Sequence, residues 1–140
     1  MPIETLSLKF QTRGDAHIMN ITDETGAAVR QTGIKAGIVT LFVPGSTAGL
    51  TTIEFESGAI ADFQRLFDEI AKEDRDYAHN LRWGDGNGHS HVRASLLGPS
   101  LTVPFADSKL LLGTWQQIIF VDFDNRPRSR SVVVQIMGEK

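Results

Sequence analysis

The chain has 140 residues, enough for one domain with a real hydrophobic core. Its 14 basic and 17 acidic residues leave a net charge of −3, which argues against bulk nucleic-acid binding. Cysteine is absent, so disulfides and thiolate metal ligands are excluded, and any metal must use imidazole, carboxylate or water.

The N-terminal "MPIETLSLKF" lacks a basic stretch followed by an apolar core, and no apolar run approaches membrane-spanning length. A cytoplasmic protein with no membrane partner is the expectation. "ETLSLKF" then alternates, with Leu6, Leu8 and Phe10 on one face, which predicts a half-buried strand. "HIMNIT" is expected to pair with it. Asp23 is expected to cap a short helix through "ETGAAVRQT", closed by Gly33. "AGIVTLFVP" is apolar on both faces and predicts a central strand ending at Pro44.

A polar turn, "GSTAG", and a short strand around Thr51–Phe55 follow. Ser57 is expected to cap the strongest helix of the chain, in which Ile60, Phe63, Phe67 and Ile70 recur at steps of three and four. "EDRDYAHNLRWGDGNG" reads as a long polar loop anchored by Tyr77 and Trp83. "HSHVRASLLG" predicts a short helix capped at Asn87 or Gly88 and stopped by Gly98. "SLTVPF", "KLLLGTWQQIIFVDFD" and "RSVVVQIM" read as strands, with turns at Ala106–Asp107 and Asp124–Arg128. Strands segregated from a few helices indicate a single α+β domain over residues 1–140 with a largely antiparallel sheet. The apolar run Ile118–Phe123, covered on both faces, belongs in a sandwich core or under a subunit interface.

Three constellations could carry chemistry. The first is "WGDGNGHSH", with His79 ten residues upstream of His89. Gly84, Gly86 and Gly88 allow a tight chain path that presents imidazoles at a helix start. His89 and His91, two apart, would fall on nearly opposite sides of a helix, so His79 is the natural partner of one or both. Hydrogen-bonded loop histidines are the alternative; Asp85, Asn87 and Tyr77 favour a metal site, since ligating imidazoles need polar neighbours. The second is "DFDNRPRSR": Arg128 and Arg130 could hold a phosphate, or stand in a solvated turn neutralised by Asp122 and Asp124. The third is "GSTAGLTTIE". Ser46 and Thr47 could form an anion-binding turn that is not a P-loop, and Glu54 could be a general acid or base or an ion-pair partner.

"GNGHSHVRASLLGPSLTVPF" followed by "KLLLGTWQQIIFVDFDNRPRSRSVVVQIMG" resembles the secondary thiamine-phosphate synthase, or YjbQ-like, family. The resemblance extends upstream through "YAHN", "GIVTLFVPGSTAGLTTIE" and "ITDETG", nearly the whole chain. It implies a compact α+β fold built on a β-sandwich, a homotrimer, a histidine-lined metal-binding pocket and joining of a pyrimidine pyrophosphate to a thiazole phosphate. His79, Asn87, His91, Thr47, Glu54, Gln116 and Arg130 match the family's recurring polar residues. One departure stands out: many members carry histidine after the strand-ending proline, where this chain has Gly45 and Ser46. Either a ligand is lost or His89 replaces it from another direction.

The expectation is therefore a metal-dependent enzyme acting on a small phosphorylated substrate. Its catalytic residues are Glu54, His79, Asn87 and His91; its phosphate-binding residues are Ser46, Thr47, Gln116, Arg128 and Arg130. His79, His89 and His91 are the metal ligands, for zinc first and for magnesium or manganese as alternatives. A trimeric metal- or small-molecule-binding protein without turnover is the rival reading, and a purely structural interaction module is the third.

Overall fold

The alternation of Leu6, Leu8 and Phe10 is realised in β1 (Ile3–Thr12). This strand pairs antiparallel with β8 (Arg128–Glu139), from Ile3 opposite Met137 to Thr12 opposite Arg128. The structure, a computed structural model, describes residues 1–140. The helices are α1 (Thr22–Thr32), α2 (Ser57–Ile70), α3 (Ala78–Trp83) and α4 (Gly88–Leu97). The remaining strands are β2 (His17–Asn20), β3 (Ala36–Phe42), β4 (Ala48–Glu54), β5 (Ser100–Ala106), β6 (Lys109–Leu110) and β7 (Gln116–Asp122).

All pairings are antiparallel and fall into two sheets, a five-stranded β1-β8-β3-β5-β6 and a three-stranded β2-β7-β4. Contrary to expectation, β2 does not pair with β1. A turn at Gly14–Ala16 carries the chain across to the other sheet, where His17 faces Asp122 in register. Val39, Leu41, Val103, Val132, Val134 and Ile136 of the larger sheet meet Leu50, Ile118 and Phe120 of the smaller, with Val29 and Ile34 at one side. Facing sheets with alternating inward side chains make a sandwich core.

The run Ile118–Phe123 reads as two-faced because β7 is covered on both sides by this chain's own elements. Ile118 and Phe120 point into the sandwich, while Ile119, Val121 and Phe123 pack against Phe67 of α2 and Ala94 of α4. No second subunit is needed to cover that strand. The uncovered apolar face lies elsewhere: in β3, Val39 and Leu41 are buried but Ile38 and Phe42 are exposed on the outer side of the larger sheet.

Local capping differs from the sequence reading in two places, by two residues at α1 and by one at α2. Ile21 stands at the N-cap of α1, so Asp23 sits in its first turn, where a carboxylate complements the helix dipole, instead of at the cap. Gly33 closes that helix in the left-handed conformation, as expected. At α2 the cap is Glu56, not Ser57: its carboxylate accepts from the Gly58 and Ala59 N–H groups, two otherwise unpaired donors. Those bonds hold the Glu56 carboxyl below its ordinary pKa.

Candidate functional site

The segment read as a loop contains a helix. Ala78–Trp83 forms α3, ended by Gly84 at φ 66° with its N–H on the Asn80 carbonyl at 2.8 Å. Gly86, at φ 65°, makes the next turn. The chain then folds back so closely that a Cβ at Gly88 would lie 2.5 Å from the Tyr77 Cβ. The Gly88 N–H donates to the Asn80 side chain at 2.8 Å, which ties the start of α4 to α3. Glycine at 84 and 88 is thus required by conformation and by contact respectively.

This fold-back brings His79 of α3 beside His91 of α4, with ring centroids 4.3 Å apart and planes tilted by 39°. The Asp85 carboxylate lies 3.4 Å from His79 Nδ1, an atom that is buried and makes no hydrogen bond. His91 also lines a cleft of about 360 Å³ with Gly45, Ser46, Ser95 and Pro99. Burial, and then repulsion from His79, hold the His91 pKa below its ordinary value against the pull of Asp85, Asp124 and the Ser46 carbonyl. Neutral imidazole, the metal-ligating form, is favoured there.

His89 does not join them. Two residues along a helix is about 200° of rotation, and the ring is buried on the other side of α4, 1 % exposed. There it lines a separate pocket with Asp15, Glu73 and Arg93. Of the three histidines expected as ligands the structure brings together only His79 and His91, and His89 does not stand in for an imidazole at position 45. Nowhere does the chain bring together three or more His, Asp or Glu side chains that could hold a metal ion.

Beneath the histidine pair runs a buried polar network. Arg130 grips Asp122 with two parallel bonds, Nε to Oδ2 at 2.7 Å and Nη2 to Oδ1 at 2.8 Å, and also donates to Thr47 Oγ1 at 2.7 Å. Asp124 Oδ2 accepts from Thr47 Oγ1 at 3.0 Å and Asn87 Nδ2 at 3.2 Å, and pairs with Arg128 at 3.1 Å. Burial alone would raise the Asp124 pKa, but the bonds from Asn87, Arg128 and Thr47 outweigh it and lower it. Asn87 stands at the N-cap of α4 without capping it through its side chain. Its Oδ1 instead takes the Ser90 hydroxyl and the Asn125 N–H. Arg128 and Arg130 of β8 thus meet carboxylates at the end of β7, across the two sheets, the arrangement the sequence offered as the alternative to phosphate binding. Of Arg130's nitrogens, Nη1 alone stands toward the Gly45 turn.

Glu54 and Gln116 are placed apart from this centre. They face each other at the far end of β4 and β7, six residues from Ala48, roughly 20 Å along an extended strand. Glu54 is exposed and makes no ion pair with Arg130. Gln116 Nε2 donates to Thr52 Oγ1 at 3.1 Å, and its Oε1 accepts the Gly113 N–H at 3.0 Å, so it fastens a turn. Sequence reasoning missed Asn80, Ser90 and Arg93; the one visible signal was Asn80 standing beside His79 in "YAHN".

Residues 6–139 match a family model described as "UPF0047 protein YjbQ-like". The chain is 34 % identical over 139 residues to a UPF0047 protein of Methanothermobacter thermautotrophicus, covering 99 % of this chain and 95 % of that one. It is 35 % identical over 138 residues to the UPF0047 protein YugU of Bacillus subtilis, covering 97 % and 99 %. Among solved structures, a YbjQ-like protein of unknown function from Sulfolobus solfataricus superposes with a TM-score of 0.89 at 32 % identity, covering 99 % of this chain and 100 % of that one. An uncharacterised protein of the same family from Clostridium acetobutylicum gives 0.87 at 34 %, covering 94 % and 99 %. The model match and the relatives span almost all of the sandwich and its helices, and the chain belongs to the UPF0047, or YjbQ-like, family.

Proposed function

We propose that the chain is a metal-dependent enzyme acting on a small phosphorylated substrate at the His79–His91 pair. The observation that carries this is the 4.3 Å approach of two imidazoles from different helices, beside a cleft edged by the Gly45–Ser46 turn. Asp85, 3.4 Å from His79 Nδ1, would orient that ring so that Nε2 keeps the free lone pair for the metal, the usual division of labour at ligating histidines. The residues present fit two nitrogen ligands and no closed protein cage. Further ligands fall to substrate oxygens or to another subunit of a homotrimer, which would also be needed to bring Glu54 and Gln116 to the site. A divalent ion there, zinc first and magnesium or manganese as alternatives, would polarise a phosphoryl oxygen or activate water. Ser46 would hold the phosphate through its hydroxyl, with Arg130 Nη1 behind the turn and Thr47 fixed between Arg130 and Asp124.

The finer reading is a transferase of the secondary thiamine-phosphate synthase type, joining a pyrimidine pyrophosphate to a thiazole phosphate. Departing pyrophosphate needs positive charge, which a divalent ion held by His79 and His91 would supply. A binding protein without turnover is favoured by one observation: Asp122 and Asp124 already neutralise Arg130 and Arg128. Turnover with the two phosphorylated substrates, in zinc, magnesium and manganese, tests the proposal. Product in at least one metal, abolished by His91→Ala, is expected. No product in any of the three, with metal binding intact, would leave the binding protein.

A further inference from the structure

We propose, on the reading of His79 and His91 as the metal centre, that Asn80 is their positioning residue. Its side-chain carbonyl docks α3 on the start of α4 and so sets the distance between the two imidazoles. α3 has six residues and buries no side chain, so no hydrophobic core holds it in place. A helix this short is not stable by itself, and its position has to come from contacts. The hydrogen bond that joins α3 to α4 runs from the Gly88 N–H to Asn80 Oδ1, at 2.8 Å. Packing agrees with it: a Cβ at Gly88 would lie 3.0 Å from that same oxygen, so the helices meet at a residue without a side chain. Each histidine lies within one helical turn of the bond, His79 directly before Asn80 and His91 three residues after Gly88.

The same bond completes α4. Gly88 carries one of the N–H groups that a helix start leaves unpaired, and Asn87 at the N-cap makes no capping bond through its side chain. The Asn87 amide is spent elsewhere: Oδ1 takes the Ser90 hydroxyl and the Asn125 N–H, and Nδ2 donates to Asp124. Asn80 therefore supplies, from the neighbouring helix, an acceptor that Asn87 withholds. The flanks of α3 are tied separately. The Tyr77 hydroxyl donates to the Lys72 carbonyl at 2.6 Å, and Asn125 Nδ2 donates to the Asp85 carbonyl at 2.8 Å. Those ties hold the chain entering and leaving α3; Asn80 fixes the approach of the helix between them.

The full chain, first without metal, serves for the test. Ring centroids 4.3 Å apart put His79 and His91 close enough for nuclear Overhauser contacts between their ring protons. Alanine is the best helix former, so Asn80→Ala removes the docking bond without weakening α3 itself. That variant should melt close to wild type, lose the His79–His91 ring contacts and bind zinc about tenfold more weakly. Asn80→Asp keeps the acceptor, beside a helix N-terminus that favours a carboxylate, and should restore both. In a His79→Ala background, Asn80→Ala should change zinc affinity no further. Ring contacts that persist in Asn80→Ala, or that Asn80→Asp fails to restore, would overturn the proposal. A wild type that binds no zinc would sink the metal reading instead, while the ring contacts would still decide the role of Asn80.

Discussion

Arg130, expected from the sequence to hold a phosphate, is bound within the chain in a structural pair. Its two bonds to Asp122, a residue with no exposed surface, make a bidentate pair inside the sandwich edge. Removing the guanidinium strands a buried carboxylate, which typically costs about 3–5 kcal/mol. Arg130→Ala should therefore lower the unfolding temperature markedly, and Arg130→Lys should restore little, because an ammonium cannot make the two parallel bonds. Unchanged melting with weakened phosphate binding would return Arg130 to the anion site. The histidines set a second residue-scale expectation. Burial is the first cause lowering the pKa of His17, His89 and His91, so the unfolded chain binds more protons than the native one just below their ordinary value. Their contribution is fully present above about pH 6.5 and is lost as pH falls through the lowered native values. Melting measured from about pH 7.5 to about pH 5.5 should show declining stability, and His89→Gln should flatten that decline. A melting temperature independent of pH over this window would contradict it.

At the level of elements, α3 and α4 do the positioning, and the sequence disclosed one of them. The two-residue spacing of His89 and His91 already implied opposite sides of a helix, and α4 obeys it. α3 stayed hidden because it has only six residues and no buried side chain of its own, so no hydrophobic period marks it. The strand and helix periods of β1 and α2 were legible, since each turns an apolar face to a core. The partner of β2 was not, because four residues, "HIMN", carry no register information and the crossing depends on the Gly14 turn. Capping slipped at Glu56 because serine and glutamate stand side by side and either can serve. The pairing of Arg130 with Asp122 was legible as one of two options, and burial decided between them.

For the whole molecule, the sandwich leaves one broad face bare. On the outer side of the larger sheet, Ile3, Met137, Ile38 and Pro104 line up across β1, β8, β3 and β5, with Val133 and Phe42 four residues further along β8 and β3. Such an apolar row on an open sheet is where the proposed homotrimer would form. Sedimentation should give a trimer at micromolar concentration and a smaller species for Ile38→Lys; a monomeric wild type would contradict the trimer. The proposed metal-binding centre consists of His79 and His91 together, with His89 outside it. Calorimetric titration of the intact protein with zinc is the decisive measurement. His79→Ala and His91→Ala should each weaken binding by at least about tenfold, the loss of one of few ligands, with His89→Ala near wild type. Equal affinity in all three variants, or a loss confined to His89→Ala, would contradict it.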